Sequence, residues 1–115
     1  MAVTIFHNPR CTKSRQTLAL LEQNGIQPEL RLYLENPPSK EELKDILSLL
    51  EMDATDLLRS KEDLYKELVV KEGKPDNAKA LAWMAQHPKL IERPIVIKGK
   101  KARIGRPPKK VLEIL

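Results

Sequence analysis

The order of elements in the first 34 residues constrains the fold of this chain more than any other feature. Residues 2–7, Ala-Val-Thr-Ile-Phe-His, form a short apolar run rich in β-formers, which predicts a strand. Asn8-Pro9-Arg10 predicts a turn. A helix is predicted from about Cys11–Thr12, with Leu18 and Leu21 on one face and Gly25 at its C′ position. Leu30, Leu32 and Leu34 then alternate with Arg31 and Tyr33, the period of a strand. Strand, helix, strand at this spacing implies two parallel strands joined by a right-handed crossover.

The middle of the chain reads as helices. Asn36-Pro37-Pro38 interrupts the pattern, and Ser39 with Glu42 predicts a capping box. Leu43, Ile46, Leu47 and Leu50 follow at i, i+3, i+4, i+7, an amphipathic helix. Asp53 is expected to cap a short helix through Leu57-Leu58-Arg59, and Ser60 with Asp63 to start another that carries Leu64, Tyr65 and Leu68. Gly73-Lys74-Pro75 is a break. Residues 76–87 predict a helix with Ala78, Leu81 and Ala85 inward, stopped by Pro88.

The last third returns to strands. Ile95-Val96-Ile97 predicts a buried strand, Lys98-Gly99-Lys100-Lys101 a hairpin turn, and Ala102-Arg103-Ile104-Gly105 the return strand. Pro107 suits the first turn of a final helix, with Val111, Leu112 and Leu115 covering the sheet. The fold class is therefore α/β: β-α-β, a run of helices, then β-β-α, with a mixed sheet. The 115 residues suit one domain over residues 1–115, and no internal repeat is visible.

Charge and composition narrow the function. With 41% hydrophobic and 32% charged residues the chain is ordinary globular material. No apolar stretch approaches the roughly 20 residues that span a bilayer, so no membrane association is expected. The N-terminal run lacks a basic region and a small-residue cleavage site, which makes it a core strand and not a signal peptide. A single cysteine forms no internal disulfide, so a cytoplasmic location is the default. The net charge of +5 is uneven: residues 16–88 carry 9 basic and 14 acidic side chains, whereas residues 89–110 carry nine basic against Glu92 alone. Together with Arg10, Lys13 and Arg15, the second basic segment would make an anion-attracting surface if the two converge. Few aromatics, no reading motif and no continuous basic helix argue against nucleic acid.

Cys11 falls between a strand end and a helix start. Helix N-termini present free N–H groups and the positive end of the dipole, which bind anions and stabilise a thiolate. Ser14, one turn on, is placed to offer its hydroxyl to the sulfur, and His7 to orient the loop through a hydrogen bond. Arg10 and Lys13 are expected to face solvent. Cys11-Thr-Lys-Ser14 is C-x-x-S, not the C-x-x-C of a dithiol exchanger. The residue six after Cys11 is Thr17, so the C-x5-R anion loop of a phosphatase is absent. One cysteine and two separated histidines, His7 and His87, do not make a metal set.

His7-Asn8-Pro9-Arg10-Cys11-Thr12-Lys13-Ser14-Arg15 resembles the nucleophile loop of the glutaredoxin-coupled arsenate reductases. Leu32-Tyr33-Leu34-Glu35-Asn36-Pro37-Pro38, Leu57-Leu58-Arg59, Gln86-His87-Pro88, Arg93-Pro94-Ile95-Val96 and Arg103-Ile104-Gly105-Arg106-Pro107 are similar to further blocks of that family, in order. Asn-Pro-Arg-Cys, with Arg10, resembles one branch in particular. The resemblance implies a thioredoxin-like fold with a helical insertion and Cys11 as nucleophile. It further implies an oxyanion site of Arg59, Arg93 and Arg106 and a cis Arg93–Pro94 bond, with His7, Asn8, Ser14 and Pro94 in support. Arginine suits the role because its planar donor fork matches a tetrahedral oxyanion and stays charged.

The same resemblance implies arsenate as substrate, glutathione as co-substrate, glutaredoxin as partner, no bound cofactor and a monomer. Two other readings stand beside it. One is a glutathione-dependent thiol oxidoreductase acting on another substrate. The other is a regulator of the Spx type, which binds RNA polymerase and shares the Arg-Pro-Ile block. Ser14 in place of a second cysteine, and Arg106-Pro107 after the last strand, favour the enzyme.

Overall fold

The computed structural model describes residues 2–115; Met1, included in the expected single domain, lies outside the described residues. The chain divides into two compact units, Met1–Asn36 with Arg93–Leu115, and Pro37–Glu92. Among the described residues no helix is long and apolar enough to cross a membrane.

The first unit is built on a four-stranded sheet in the order β2-β1-β3-β4. β1 (Val3–Phe6) pairs in parallel with β2 (Glu29–Arg31) and antiparallel with β3 (Ile95–Lys98), which pairs antiparallel with β4 (Lys101–Ile104). The crossover between β1 and β2 is α1 (Thr12–Gln23). Gly25 adopts φ +77 just beyond it, and the Ile26 N–H closes back onto the Leu21 carbonyl at 3.0 Å, the C-terminal lock anticipated for that glycine. β3 and β4 meet through Gly99-Lys100, where Gly99 takes φ +61, the left-handed conformation that tight hairpins favour. One sheet face buries Val3, Ile5 and Val96 against Leu21, Val111 and Ile114. This mixed sheet with its β-α-β start and β-β finish is the expected α/β, thioredoxin-like arrangement.

Two details of this unit differ from the sequence reading. β2 ends at Arg31, because the chain turns at once, with the Glu35 and Asn36 N–H groups both on the Leu32 carbonyl. The alternation therefore loses its parity: Leu30 and Leu34 are 48% and 46% exposed, and Tyr33 is fully buried instead. The final helix is a 3-10 helix, Pro108–Ile114, not an α-helix beginning at Pro107. Three residues per turn put Val111 and Ile114 on the sheet and leave Leu112 outside. The Arg93–Pro94 and Arg106–Pro107 bonds are both cis.

The second unit is helical. Ser39 accepts the Glu42 N–H at 3.1 Å and starts α2 (Lys40–Leu50), which buries Leu43, Ile46 and Leu47 as its spacing predicts. Asp53 and Asp56 form a capping box on α3 (Ala54–Leu57). α4 (Asp63–Glu72) begins after Glu62 rather than at Ser60. α5 (Asn77–Gln86) is capped by Asp76, which accepts the Lys79 N–H at 2.9 Å. Its buried face is Ala80, Trp83 and Met84, while Ala78 is exposed. The bulky Trp83 sets the rotation of this helix, outweighing the alanine pattern, and its ring meets Tyr65 edge-on at 6.0 Å.

Candidate active site

Cys11 is the N-cap residue of α1, with extended backbone at φ −95, ψ 123, and its side chain is half-buried. The preceding loop is tied down from three directions. Asn8 Oδ1 accepts the Arg10 N–H at 3.0 Å, and the Asn8 carbonyl accepts the Cys11 N–H at 3.0 Å. These are the local bonds an Asn before Pro makes in a turn. Arg15 reaches back from the helix to donate to the Pro9 carbonyl at 2.9 Å. In the sequence Arg15 stands out only as local positive charge, and no spacing signal marks this brace.

Beneath the loop lies a buried polar group. His7 Nδ1 is 2.6 Å from Ser14 Oγ, and that oxygen also accepts the Asn8 N–H at 3.0 Å. The His7 N–H donates to the Arg31 carbonyl at 2.9 Å, which ties the end of β1 to β2. His7 thus joins the end of β1 to both β2 and the start of α1. Ser14 acts differently from expectation: its hydroxyl serves His7 and Asn8, and its backbone N–H acts on the thiol. Burial, with the nearby positive charge of Arg15, holds the His7 pKa below its ordinary value, so the ring is neutral at pH 7.

The thiol itself is acidified. Burial is the largest single influence and would raise the Cys11 pKa. The Ser14 N–H, the Arg93 guanidinium through hydrogen bonding and charge, and the Lys13 N–H together outweigh it, and the pKa falls below that of an ordinary thiol. The bare helix start supplies the N–H groups, since no side chain caps it.

Two of the three expected arginines meet this sulfur. An Arg106 terminal nitrogen lies 3.8 Å from Cys11 Sγ, and its Nε donates to the Arg93 carbonyl at 2.7 Å. Pro94 is buried beside them, its carbonyl accepting the Gly105 N–H at 2.9 Å. Gly105 was not singled out from sequence. A Cβ there would run into Thr17 Oγ1 and approach Pro94 Cγ to 2.9 Å, so the close approach of β4 to α1 requires glycine. Arg59 stands in the second unit, where its guanidinium pairs with Glu92 at 2.8 Å and Glu62 at 3.2 Å. Arg10 and Lys13 face solvent. Among the described residues no three His, Cys, Asp or Glu side chains are arranged to hold a metal ion.

An acidified thiol, free helix N–H groups and two guanidinium side chains at one point can bind a small oxyanion and attack it. The comparisons point the same way. The ArsC family model matches residues 6–114. An arsenate reductase of Haemophilus influenzae is 50% identical over 116 residues, covering all of both chains. The uncharacterized protein YfgD of Escherichia coli K12 is 53% identical over 98% of this chain and 96% of its own. The solved structure of an arsenate reductase from Vibrio cholerae superposes with a TM-score of 0.94 at 52% identity, covering 100% of this chain and 98% of that one. With a family model spanning the nucleophile loop, both arginine-proline blocks and nearly everything between them, this chain belongs to the ArsC family.

Proposed function

We propose that this protein reduces arsenate to arsenite with thiols from outside the chain. The observation that carries the reading is the convergence of two guanidinium groups on one thiol: Arg106, 3.8 Å from Cys11 Sγ, and Arg93, which helps to lower the thiol's pKa. Names of relatives about 50% identical over the whole chain support arsenate as the oxyanion.

In the proposed reaction the Cys11 thiolate attacks arsenic and displaces one oxygen as water, forming a Cys11–As(V) bond. Arg93 and Arg106 stabilise charge on the remaining oxygens. The family resemblance adds Arg59 to these donors. An external thiolate, glutathione in this reading, then attacks the Cys11 sulfur. The electron pair of the sulfur–arsenic bond stays on arsenic, which leaves as arsenite, and the two sulfurs are joined as a mixed disulfide. A second thiol, supplied by glutaredoxin, takes the glutathionyl group and returns Cys11 as thiolate.

Cys11 is the only cysteine, so no internal disulfide can complete the two-electron reduction. The test is arsenate-dependent NADPH oxidation in the presence of glutathione, glutaredoxin and glutathione reductase. Turnover is expected for the wild type and none for Cys11→Ser. With glutathione alone, intact mass should show one added glutathione. Absence of turnover together with capture of RNA polymerase would support the regulator instead.

A further inference from the structure

The chemistry above needs two reactants at one sulfur, and the sheet order keeps their approaches apart. Arg93 lies two residues before β3 and Arg106 two residues after β4, on one flank of β1. On the other flank lies β2, and the turn that follows it faces the nucleophile loop across a groove of about 240 Å³. Residues 7–10 form one wall, and Leu32, Leu34 and Glu35 form the other. The groove ends at the residue before Cys11.

Its walls carry one charge of each sign. Arg10 and Glu35 are exposed, and neither is in an ion pair among the described residues. Pro9 in one wall and Leu32 and Leu34 in the other add apolar surface, with Leu34 46% exposed. A cation, an anion and apolar wall surface complement a small zwitterionic molecule.

We propose that this groove is the docking site of the thiol co-substrate, a small peptide thiol with a free α-ammonium and carboxylates. Arg10 holds a carboxylate near the sulfur, and Glu35 holds the ammonium at the far wall. The inference rests on the proposed function only in taking Cys11 to react with an outside thiol. Displacement at sulfur requires the entering and leaving atoms to lie on opposite sides of it. A thiol arriving from the β2 flank meets that requirement when arsenic is held on the β3 flank. The attacking thiolate forms the sulfur–sulfur bond, and the departing arsenic takes the bonding pair.

The test uses glutathione and contains no arsenate. The Cys11 thiolate attacks glutathione disulfide, giving the same mixed disulfide and releasing one glutathione thiolate. Hydroxyethyl disulfide undergoes the same exchange but has no charges for the groove. The ratio of the two second-order rates cancels any change in thiolate reactivity. Arg10→Glu and Glu35→Lys replace exposed side chains, and each should lower that ratio by about fivefold, the worth of one exposed ion pair. A ratio that falls below about half the wild-type value in both variants supports the site, on the same scale for exposed pairs. A smaller fall in either variant overturns it. So does an unchanged ratio with slower reduction of the Cys11 mixed disulfide by glutaredoxin, which would assign the groove to a protein. Failure of arsenate turnover leaves this result untouched, and failure here leaves the arsenate reading standing.

Discussion

Arg106 donates through Nε to the carbonyl oxygen of Arg93 at 2.7 Å, so the backbone of one arginine positions the side chain of the other. The bond aims one of the two terminal Arg106 nitrogens at the Cys11 sulfur. A lysine carries its donors on a single nitrogen and has no second, coplanar one with which to hold such a geometry.

Arg106→Lys should therefore keep the charge and lose its placement. In arsenate turnover, kcat/KM is expected to fall about tenfold or more, and Arg106→Ala further, by the 1.5–3 kcal/mol of a charged hydrogen bond. Steady-state kinetics on both variants, with circular dichroism to confirm folding, checks this. Wild-type kcat/KM in Arg106→Lys would count against the positioning role.

The lowered pKa of Cys11 extends its reactivity to lower pH than an ordinary thiol's. Its rate of alkylation by iodoacetamide should rise through a midpoint below the roughly 8.5 of a free thiol. Arg93→Ala removes the guanidinium that stabilises the thiolate and should move that midpoint upward. An unshifted midpoint in the variant would remove Arg93 from the list of causes.

Gly105→Ala tests the packing of β4 on α1. Its φ is not in the left-handed region, so the effect is steric and not conformational. The added methyl meets Thr17 and Pro94, and a loss of about 1–3 kcal/mol is expected from overpacking. Thr17→Ala in the same chain should restore part of it, because it removes both Thr17 atoms in the way. Thermal unfolding of the two single variants and the double variant measures the coupling.

His7 links stability to pH. Its folded pKa is depressed, so the unfolded chain binds the proton more readily, and folding stability rises with pH across its titration. The contribution is complete above about 6.5, the ordinary histidine value. It is lost as pH falls below that, through the lowered folded pKa. The wild-type Tm should accordingly drop more between pH 7.5 and 5 than that of His7→Gln, whose side chain does not titrate in this range. Equal drops would show that His7 is not the group responsible.

The elements that could be read from sequence are those decided locally. Ser39 with Glu42, Gly25 beyond α1 and the Gly99-Lys100 hairpin each depend on neighbours within a few residues, and the structure has them in place. The misread positions were decided at longer range. Tyr33 is buried because β2 stops two residues earlier, and Trp83 rather than Ala78 faces inward because the larger ring must be covered. The meeting of Cys11 with Arg106, 95 residues apart, has no local signature at all and was legible only through resemblance. The Thr17–Gly105 contact left no sequence signal, since a glycine at a strand end reads first as punctuation.

β1 lies in the middle of its sheet, between a strand that follows within 30 residues and one that begins at Ile95. During synthesis the ribosome releases Cys11 long before Arg93 and Arg106. Until those residues follow, β1 lacks its antiparallel neighbour and the thiol lacks its guanidinium partners, so only the Ser14 and Lys13 N–H groups at the start of α1 can favour its thiolate. The full reactivity of this thiol is thus a property of the finished fold, completed by Arg93 with the last strands and only begun at the start of α1.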